Sequence, residues 1–254
     1  MRLSYRGEPF HGWQTQPGAV TVQQTIEEAL GKVLRHPVPI VGAGRTDAGV
    51  NARLMVAHFD LPDEANSAPL PDSGRLVAAL NALVGRDIAI HSIYEVAPDL
   101  HARFSAISRT YHYYTLPYKS PFCHPLTWKA PATLDYGAMN RAASYLLETD
   151  DFTSFAKLHS DSRTNLCTVT RAEWIPWQPT DGGGEGMVFV ISANRFLRNM
   201  VRAVVGTLVE VGRGKLSPEG FAEVISRKDR CAAGTSMPPQ ALYLWDVEYP
   251  ASDR

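Results

Sequence analysis

The hydrophobic residues near the start of the chain recur at the spacing of a helix that buries one face. Between residues 21 and 34 they stand at positions i, i+4, i+7, i+8, i+11 and i+12, at Val22, Ile26, Ala29, Leu30, Val33 and Leu34. Thr21 and Gln24 form a T-x-x-Q capping box at the start of this run. The pattern therefore predicts a helix that begins directly after Thr21.

The rest of the first half combines short hydrophobic runs with one further helical pattern. Four runs are predicted strands, at 1–5, 38–42, 55–60 and 88–96. Helical spacing at 74–83 predicts a second helix, and the proline-rich stretch 61–73 before it is a predicted loop. The order of these elements is β-α-β-β-α-β.

The second half repeats this order with one additional helix. A strand beginning at Thr110 carries Tyr111, Tyr113 and Thr115 on one face. A helix follows, with apolar residues at Met139, Ala142, Ala143, Leu146 and Leu147. The remaining predicted elements are a hairpin of 167–177 with 187–193, helices at 194–211 and 217–227, and a strand at 242–249.

Two successive β-α-β-β-α-β sets favour an α+β fold over a parallel doubly wound sheet. The expected architecture is two ferredoxin-like halves with antiparallel sheets, which together form a central cleft. We place the boundary between residues 98 and 99, so that 1–98 forms the N-terminal half and 99–254 the C-terminal half.

Composition changes this picture little. The chain has 254 residues, of which 44% are hydrophobic and 20% charged, which is typical of a globular protein with a substantial core. We expect no membrane span, because no charge-free apolar run approaches the ~20 residues that a span requires. The start of the chain lacks the apolar region of a secretion signal, and three widely spaced cysteines form no disulfide framework. A cytoplasmic location is therefore expected.

The stretch GAGRTDAGVNAR, residues 42–53, is the least ordinary in the sequence. Asp47 stands among small residues, two positions after Arg45, and the glycines allow a ligand to approach the backbone closely. It matches neither a phosphate loop nor a dinucleotide-binding fingerprint. Two interpretations stay open from these residues alone: a reactive carboxylate beside an arginine, or a turn in which Asp47 caps a helix beginning near Ala48.

A second candidate feature is the arginine-rich first part of the helix predicted at 194–211. On a helix, Arg195, Arg198 and Arg202 lie within about 60° of one another, and no carboxylate follows them until Glu210. A surplus of guanidinium groups on one face indicates a phosphate or a buried carboxylate as partner. The alternative is a solvated basic stripe.

A third feature is the acid-free stretch 100–134. Its basic residues include Arg103 and Arg109, and seven aromatic residues alternate with the basic residues and histidines. Basic side chains provide charge for a phosphate backbone, while aromatic faces stack on unpaired bases. Tyrosines alternating along a strand are also common in protein cores. The formal net charge of −1 does not exclude a polyanionic partner, because the acids concentrate elsewhere, at 60–64, 148–151 and 246–253.

Other catalytic arrangements find little support in the sequence. None of the eight histidines lies in an H-E-x-x-H motif, so a catalytic metal is not expected. A G-x-S-x-G nucleophile elbow and paired D-[ST]-G loops are both absent from the sequence. What remains is one loop carboxylate, a nearby arginine and a basic strand that carries tyrosines.

Several of these blocks together resemble the tRNA pseudouridine synthase A family. They are YRGEPFHGWQTQP from Tyr5, GAGRTDAGVNA from Gly42, HARFSAISRTYHYY from His101 and FLRNMVRAVVGTLVEVGRGK from Phe196. The resemblance extends over nearly the whole chain. It implies an isomerase that converts uridine to pseudouridine in the anticodon stem and loop of tRNA, without cofactor or metal. It also implies two ferredoxin-like halves and a homodimer.

The resemblance also assigns roles to individual residues. Asp47 is the implied catalytic nucleophile, attacking either C1′ of the ribose or C6 of the uracil. Arg45 is implied to hold the target base out of the helix stack. Tyr111 is implied to lie against the flipped uracil and is a candidate base for the C5 proton, and Arg202 is implied to pair with Asp47.

The other candidate residues are expected to bind substrate. Arg195 and Arg198 are left for tRNA phosphates, and Arg103 and Arg109 lie in the acid-free aromatic stretch. Two other classes of function compete with the synthase: a tRNA-binding protein of this fold without catalysis, and a small-molecule enzyme with Asp47 as nucleophile. Binding that weakens steeply with salt distinguishes an RNA partner from a neutral metabolite.

Overall fold

A computed structural model of the protein describes residues 1–61, 72–157, 164–179 and 182–250. The chain divides into two compact units. The first comprises Met1–Ile107 together with Leu244–Arg254, and the second comprises Ser108–Tyr243. This division follows Ile107 instead of residue 98, and it assigns most of the last strand to the first unit. Most of the loop expected at 61–73 lies outside the described residues.

The first unit has helices α1 (Val22–Leu34) and α2 (Ser73–Leu83) beside an antiparallel sheet. Its strands are β1 (Arg2–Tyr5), β2 (Val41–Gly42), β3 (Asn51–His58) and β4 (Ile88–Ser92). β1 pairs with β3 on one side and β4 on the other, while β2 pairs with β3. The predicted cap of α1 is confirmed, because the Thr21 side chain accepts a hydrogen bond from the Gln24 amide.

The second unit begins with β5 (Ser108–Leu116) and the short β6 (Trp128–Lys129), which pairs with it in parallel. Helix α3 (Tyr136–Ser144) precedes the hairpin of β7 (Val169–Trp177) and β8 (Gly186–Ala193). β8 also pairs antiparallel with β5. Helices α4 (Met200–Gly212) and α5 (Pro218–Arg227) follow, and β9 (Leu242–Glu248) starts in this unit and ends in the first.

Each unit has its own hydrophobic core. In the first unit, side chains from strands and helices are fully buried together: Leu3, Ile26, Leu30, Met55 and Leu80. In the second unit the buried side chains are larger and more often aromatic: Tyr113, Phe152, Phe155, Phe189 and Phe221. Burial of whole Leu or Phe side chains contributes about 1.5–3 kcal/mol each, so these residues dominate the stability of each unit.

The helix predicted from residue 194 begins instead at Met200. Asn199 adopts the left-handed conformation, with φ 64°, and so interrupts any helix that would start before it. The preceding backbone makes hydrogen bonds elsewhere: the Asn194 amide donates to Thr168, and the Arg198 carbonyl accepts from the Lys157 amide. Arg195 and Arg198 therefore lie in an irregular segment, and the prediction that they share a helix face with Arg202 is wrong.

Smaller differences affect the strands. The strand predicted at 38–42 contains only Val41 and Gly42, and the one predicted at 88–96 ends at Ser92. β3 starts at Asn51, four residues earlier than predicted, and its pairing with β1 extends back to Ala52, which lies opposite Tyr5. The pair of residues in β6 was not predicted at all, since a two-residue strand has no periodicity.

Candidate active site

Asp47 lies in the connection between β2 and β3. The Val50 amide donates to the Asp47 carbonyl at 3.1 Å, and Gly49 between them has a φ of 79°. This closes a tight turn, and β3 begins at Asn51 directly after it. The alternative in which Asp47 caps a helix near Ala48 is therefore wrong. The half-buried Asp47 projects from a turn whose backbone is fixed at both ends.

The N-terminal segment 5–13 holds this turn in place. The Trp13 amide donates to the Thr46 carbonyl at 3.2 Å, and the Gly49 amide donates to the Phe10 carbonyl at 3.3 Å. The Tyr5 and Thr46 hydroxyls form a buried hydrogen bond of 2.7 Å. These bonds hold the residues on both sides of Asp47. The backbone that carries the carboxylate therefore has little freedom to move.

Close packing between this segment and the loop requires glycine at two positions. A Cβ on Gly12 would lie 2.6 Å from the Thr46 carbonyl oxygen, and Gly12 has a φ of 91°. A Cβ on Gly42 would lie 2.6 Å from the Trp13 ring. Both distances are below any normal contact, so the loop can reach its observed position only because these residues have no side chain.

Arg45 is exposed, and its orientation is fixed by a neighbour from the same N-terminal segment. The Arg45 Nε donates to the Gln14 Oε1 at 3.0 Å. Residues 5–14 therefore hold both candidates. They bind the side chain of Arg45 and the backbone on both sides of Asp47. A guanidinium and a carboxylate two residues apart on a fixed loop are suited to binding a polar ligand and reacting with it.

Tyr111 lies on β5 with its ring on the buried face. The ring contacts Phe196 edge to face, with centroids 5.0 Å apart and an angle of 83° between the planes. The prediction that Tyr111, Tyr113 and Thr115 share one face is confirmed, because all three are buried and alternate with more exposed residues. Phe196 immediately follows Arg195, so this contact ties the irregular arginine segment to β5.

Arg202 lies in the first turn of α4 and binds the segment before β9. Its Nε donates to the Met237 carbonyl at 2.6 Å, and the Met237 amide donates back to the Arg202 carbonyl at 3.0 Å. Burial raises the pKa of the nearby Tyr113 hydroxyl well above its ordinary value, and the positive charge of Arg202 opposes that increase. Arg202 is therefore a fixed cation near the tyrosines of β5.

The other candidate arginines of the second unit, Arg109, Arg195 and Arg198, lie in or contact the irregular segment before α4. Arg109 donates from Nη1 to the Asn194 carbonyl at 2.8 Å. Arg195 lies close enough to the buried Cys167 for its charge to oppose the effect of burial, which raises the pKa of that thiol to about 11. The Arg198 carbonyl accepts a hydrogen bond from the Lys157 amide. Arg109, Arg195 and Arg198 thus form a cationic region without helical periodicity.

Arg103 belongs to the first unit, in the turn that follows His101. Its guanidinium lies 5.6 Å from the centroid of the Phe104 ring, within the range of a cation–π contact. The Phe104 side chain is 76% exposed. A cation beside an exposed aromatic ring has the chemistry expected of a nucleic-acid contact.

The candidate residues are divided between the two units. The first carries Arg45, Asp47 and Arg103; the second carries Tyr111, Arg109, Arg195, Arg198 and Arg202. In the first unit, Arg45 and Asp47 share one loop, and in the second, Arg109 donates to the Asn194 carbonyl next to Arg195. The pairing of Arg202 with Asp47 stays a prediction.

Sequence reasoning missed the residues that support the loop. Tyr5, Trp13 and Gln14 each contact a residue between Gly42 and Thr46, yet none of them was a candidate. The available signal was the block YRGEPFHGWQ, which combines aromatic residues and glycines without the periodicity of a helix or strand. Such a composition indicates packing against another part of the backbone.

Among residues 1–61, 72–157, 164–179 and 182–250, no three His, Cys, Asp or Glu side chains are arranged to hold a metal ion. In the same part of the chain, no helix combines the length and the hydropathy that a membrane crossing requires.

The chain is similar in sequence to known proteins. A family model described as tRNA pseudouridine synthase matches residues 142–250, which include the arginine segment and α4. A tRNA pseudouridine synthase A of Parabacteroides distasonis is 54% identical over 248 residues, covering 98% of this chain and 94% of the relative. The chain belongs to the tRNA pseudouridine synthase A family.

Two further members of the family support the same assignment. A tRNA pseudouridine synthase A of Bacteroides thetaiotaomicron is 50% identical, covering 98% of this chain and 89% of the relative. Another, of Exiguobacterium sibiricum, is 35% identical, covering 99% of this chain and 96% of the relative. Similarity to the family therefore extends over both units, including the segment that carries Asp47.

Proposed function

We propose that the protein isomerises uridine to pseudouridine in tRNA, at uridines of the anticodon stem and loop, and that Asp47 is its catalytic nucleophile. Membership in the tRNA pseudouridine synthase A family supports the reaction. The observation that carries the assignment to Asp47 is its turn, which is bound on both sides by residues 5–13. A reacting group must be held within about 0.5 Å of its productive position, and the hydrogen bonds of this turn support such rigidity.

A carboxylate suits this reaction because it is already ionised at neutral pH and forms an ester-like intermediate that can be released. Attack on C1′ would displace uracil directly, whereas attack on C6 would form an adduct with the base. By either route the bond between N1 and C1′ breaks, the uracil turns, and C5 becomes joined to C1′. The proton on C5 is lost in the last step, so its release reports the completed exchange.

Three residues would assist Asp47. Arg45 would enter the helix stack and hold the target base out, a step whose cost is lowest in loops and weak stems. Tyr111 would lie against the flipped uracil and take the C5 proton. Arg202 would pair with Asp47 and orient its carboxylate. The fixed orientation of the Arg202 side chain, through its hydrogen bond to Met237, supports a role that depends on position.

The other arginines would bind the tRNA backbone. Arg195 and Arg198 belong to the irregular segment before α4, and Arg109 binds that segment through Asn194. Arg103 would contribute charge beside the exposed Phe104 ring. Contacts of this kind set the register of the RNA and make binding depend on salt.

We also propose that both halves are ferredoxin-like and that the working form is a cytoplasmic homodimer. In the first unit, the pairing of β4 with β1, β1 with β3 and β3 with β2 supports the first point. In the second half, β5, β7 and β8 with their helices would form the equivalent sheet, with β9 as its fourth strand. The substrate supports the cytoplasmic location, since tRNA is a cytoplasmic molecule in bacteria.

The deciding experiment measures tritium release from a tRNA transcript labelled at uracil C5, with wild type, Asp47→Asn and Asp99→Asn in parallel. Asp99 is an exposed carboxylate of the first unit and serves as the matched control. We expect release by wild type and Asp99→Asn alone, with tRNA affinity of Asp47→Asn within a few fold of wild type. Normal turnover by Asp47→Asn would remove Asp47 from the chemistry. Tight, salt-sensitive binding without release by any variant would favour a tRNA-binding protein without catalysis.

A further inference from the structure

A chain of side-chain hydrogen bonds leads from Arg45 to helix α1. The Arg45 Nε donates to Gln14 Oε1 at 3.0 Å, and the Gln14 Nε2 donates to Gln23 Oε1 at 2.8 Å. The Gln23 Nε2 donates in turn to Glu27 Oε1 at 2.9 Å. Two glutamine side chains therefore connect the exposed guanidinium of the loop to a carboxylate on the first helix.

The orientation of both amides in this chain follows from the chemistry of its two ends. A guanidinium can only donate, so Gln14 must present its oxygen to Arg45 and its nitrogen to Gln23. A carboxylate can only accept, so Gln23 must present its nitrogen to Glu27 and its oxygen to Gln14. The two constraints agree, and the amide dipoles consequently align between the negative and the positive charge.

Gln23 is held rigidly because its hydrogen-bonding capacity is used completely. Its oxygen accepts from the Thr15 amide at 3.1 Å as well as from Gln14. Its nitrogen donates to the Ile40 carbonyl at 3.2 Å as well as to Glu27. Two acceptor sites and two donor hydrogens are the full capacity of a primary amide.

Glu27 anchors the far end of the chain to the backbone. Its Oε1 also accepts from the Ile40 amide at 2.9 Å, at the residue immediately before β2. These hydrogen bonds thus connect the Ile40 backbone, just before β2, to the Arg45 guanidinium in the loop that follows β2. Gln23 and Glu27 are half-buried, whereas Gln14 and Arg45 are exposed.

We propose that Gln14 and Gln23, anchored by Glu27, are positioning residues that preorganise the Arg45 guanidinium for holding the target base out of the stack. The inference rests on the proposed role of Arg45. A free arginine side chain populates many rotamers, and ordering it on substrate binding costs conformational entropy. An arginine that is already ordered avoids part of that cost. The saving should appear as a faster step after tRNA binding.

The test uses near-isosteric substitutions that remove the amide without shortening the side chain. Gln14→Met, Arg45→Ala and the double variant are compared with wild type in single-turnover pseudouridine formation, with enzyme in excess over tRNA. Gln24→Met is the matched control, because Gln24 also lies on α1 and donates to Glu28 at 2.9 Å, on an exposed surface unconnected to Arg45. Thermal unfolding of each variant shows whether the fold is intact.

We expect Gln14→Met to slow the single-turnover rate about three- to tenfold, the range that corresponds to one hydrogen bond. Arg45→Ala should slow it more, and Gln14→Met should have less than about a twofold effect in the Arg45→Ala background, because it acts through Arg45. Gln23→Met should resemble Gln14→Met, and Gln24→Met should match wild type.

Three outcomes would overturn the inference, and they differ in what they leave standing. An equal effect of Gln14→Met with and without Arg45 would mean that Gln14 acts independently of the guanidinium. A wild-type rate for Gln14→Met beside a slow Arg45→Ala would remove the positioning role but keep that of Arg45. A wild-type rate for Arg45→Ala would remove both the positioning role of Gln14 and the base-holding role of Arg45. Pseudouridine formation by wild type would still support the proposed reaction.

Discussion

The Tyr5 hydroxyl lies 2.7 Å from the Thr46 hydroxyl, in the interior of the first unit and 41 residues apart in sequence. Thr46 directly precedes Asp47, so this bond fixes the backbone on the N-terminal side of the proposed nucleophile. Tyr5 is the last residue of β1, at the point where the chain leaves the sheet. A central strand thereby determines the position of a loop that is remote from it in sequence.

Replacing Tyr5 with phenylalanine should reduce both stability and turnover. The substitution removes one hydroxyl and leaves the buried Thr46 hydroxyl without this partner, which costs about 1–3 kcal/mol in the free energy of unfolding. Turnover should fall while tRNA affinity stays within a few fold, since the loop shifts but the phosphate contacts remain. Urea unfolding and tritium release measure the two effects. Tyr94→Phe, at a side chain 49% exposed, should change neither.

Gly12→Ala should be severely destabilising. The new methyl group would lie 2.6 Å from the Thr46 carbonyl oxygen, in a residue whose φ of 91° already disfavours a side chain. We expect a loss of more than about 1 kcal/mol in the free energy of unfolding, together with loss of activity. Gly18→Ala separates the two causes, because Gly18 also has a positive φ of 73° but no atom within 4 Å of the added carbon. Similar losses for both variants would mean that backbone strain alone is responsible.

Elements with local signals were predictable from sequence. Helix α1 combines a capping residue with apolar periodicity, and the hairpin of β7 and β8 surrounds a glycine-rich turn. The face of β5 that carries Tyr111 follows from alternation alone. In each case the physical cause lies within a few residues, so a window of sequence contains it.

The features that the sequence did not predict depend on contacts between segments distant along the chain. The start of α4 was misplaced because Asn199 adopts a left-handed conformation, which its side-chain hydrogen bond to Ser236 at 2.6 Å helps to hold. The support of the Asp47 loop was missed because Tyr5, Trp13 and Gln14 act across more than 30 residues. The family resemblance implied roles for Asp47 and its neighbours but contained no information on what holds them.

His58 should make stability depend on pH. Burial lowers its pKa, and the nearby His101 lowers it further, while Asp60 opposes the change. The neutral ring accepts a hydrogen bond at Nδ1 from the Ala102 amide at 3.1 Å. The pKa of His58 in the folded protein lies below its unfolded value of ~6.5. The contribution of neutral His58 to stability is therefore complete above the unfolded pKa, and it is lost as pH falls through the folded pKa.

The measurement is urea unfolding between about pH 8 and about pH 5.5 for wild type and His58→Gln, which lacks a titrating group in this range. Wild type should lose stability toward the acid end, and the variant should lose less. Parallel pH dependence of the two proteins would show that His58 does not contribute. An NMR titration of the His58 ring provides an independent value for the folded state.

Arg195→Ala combined with Arg198→Ala should weaken the salt dependence of tRNA binding. Each lost phosphate contact reduces the counterions released on binding, so the slope of log K against log salt should fall by about one to two units. Binding is measured between about 50 and about 200 mM salt. Arg213→Ala with Lys215→Ala is the matched control at the other end of α4, where both residues pair with Glu210. An unchanged slope for the first pair would assign Arg195 and Arg198 to a solvated surface.

Tyr111→Phe should separate the two proposed roles of this residue. The phenylalanine ring keeps the contact with Phe196 and a flat face for the uracil, but it cannot accept the C5 proton. General base catalysis is worth about 10²–10⁴ in rate, so tritium release should fall by that factor while tRNA affinity stays within a few fold. A loss of less than about tenfold would assign proton removal to another group and leave Tyr111 as a stacking residue.

Tyr113→Phe is the control two residues along the same face of β5. Its hydroxyl donates to the Pro238 carbonyl at 3.1 Å and has no proposed part in the reaction. The variant should lose about 1 kcal/mol of stability and retain its rate, whereas Tyr111→Phe should lose rate. Loss of rate at Tyr111 alone would identify chemistry, not packing, as the function of Tyr111, because both variants remove one hydroxyl from the same face of β5.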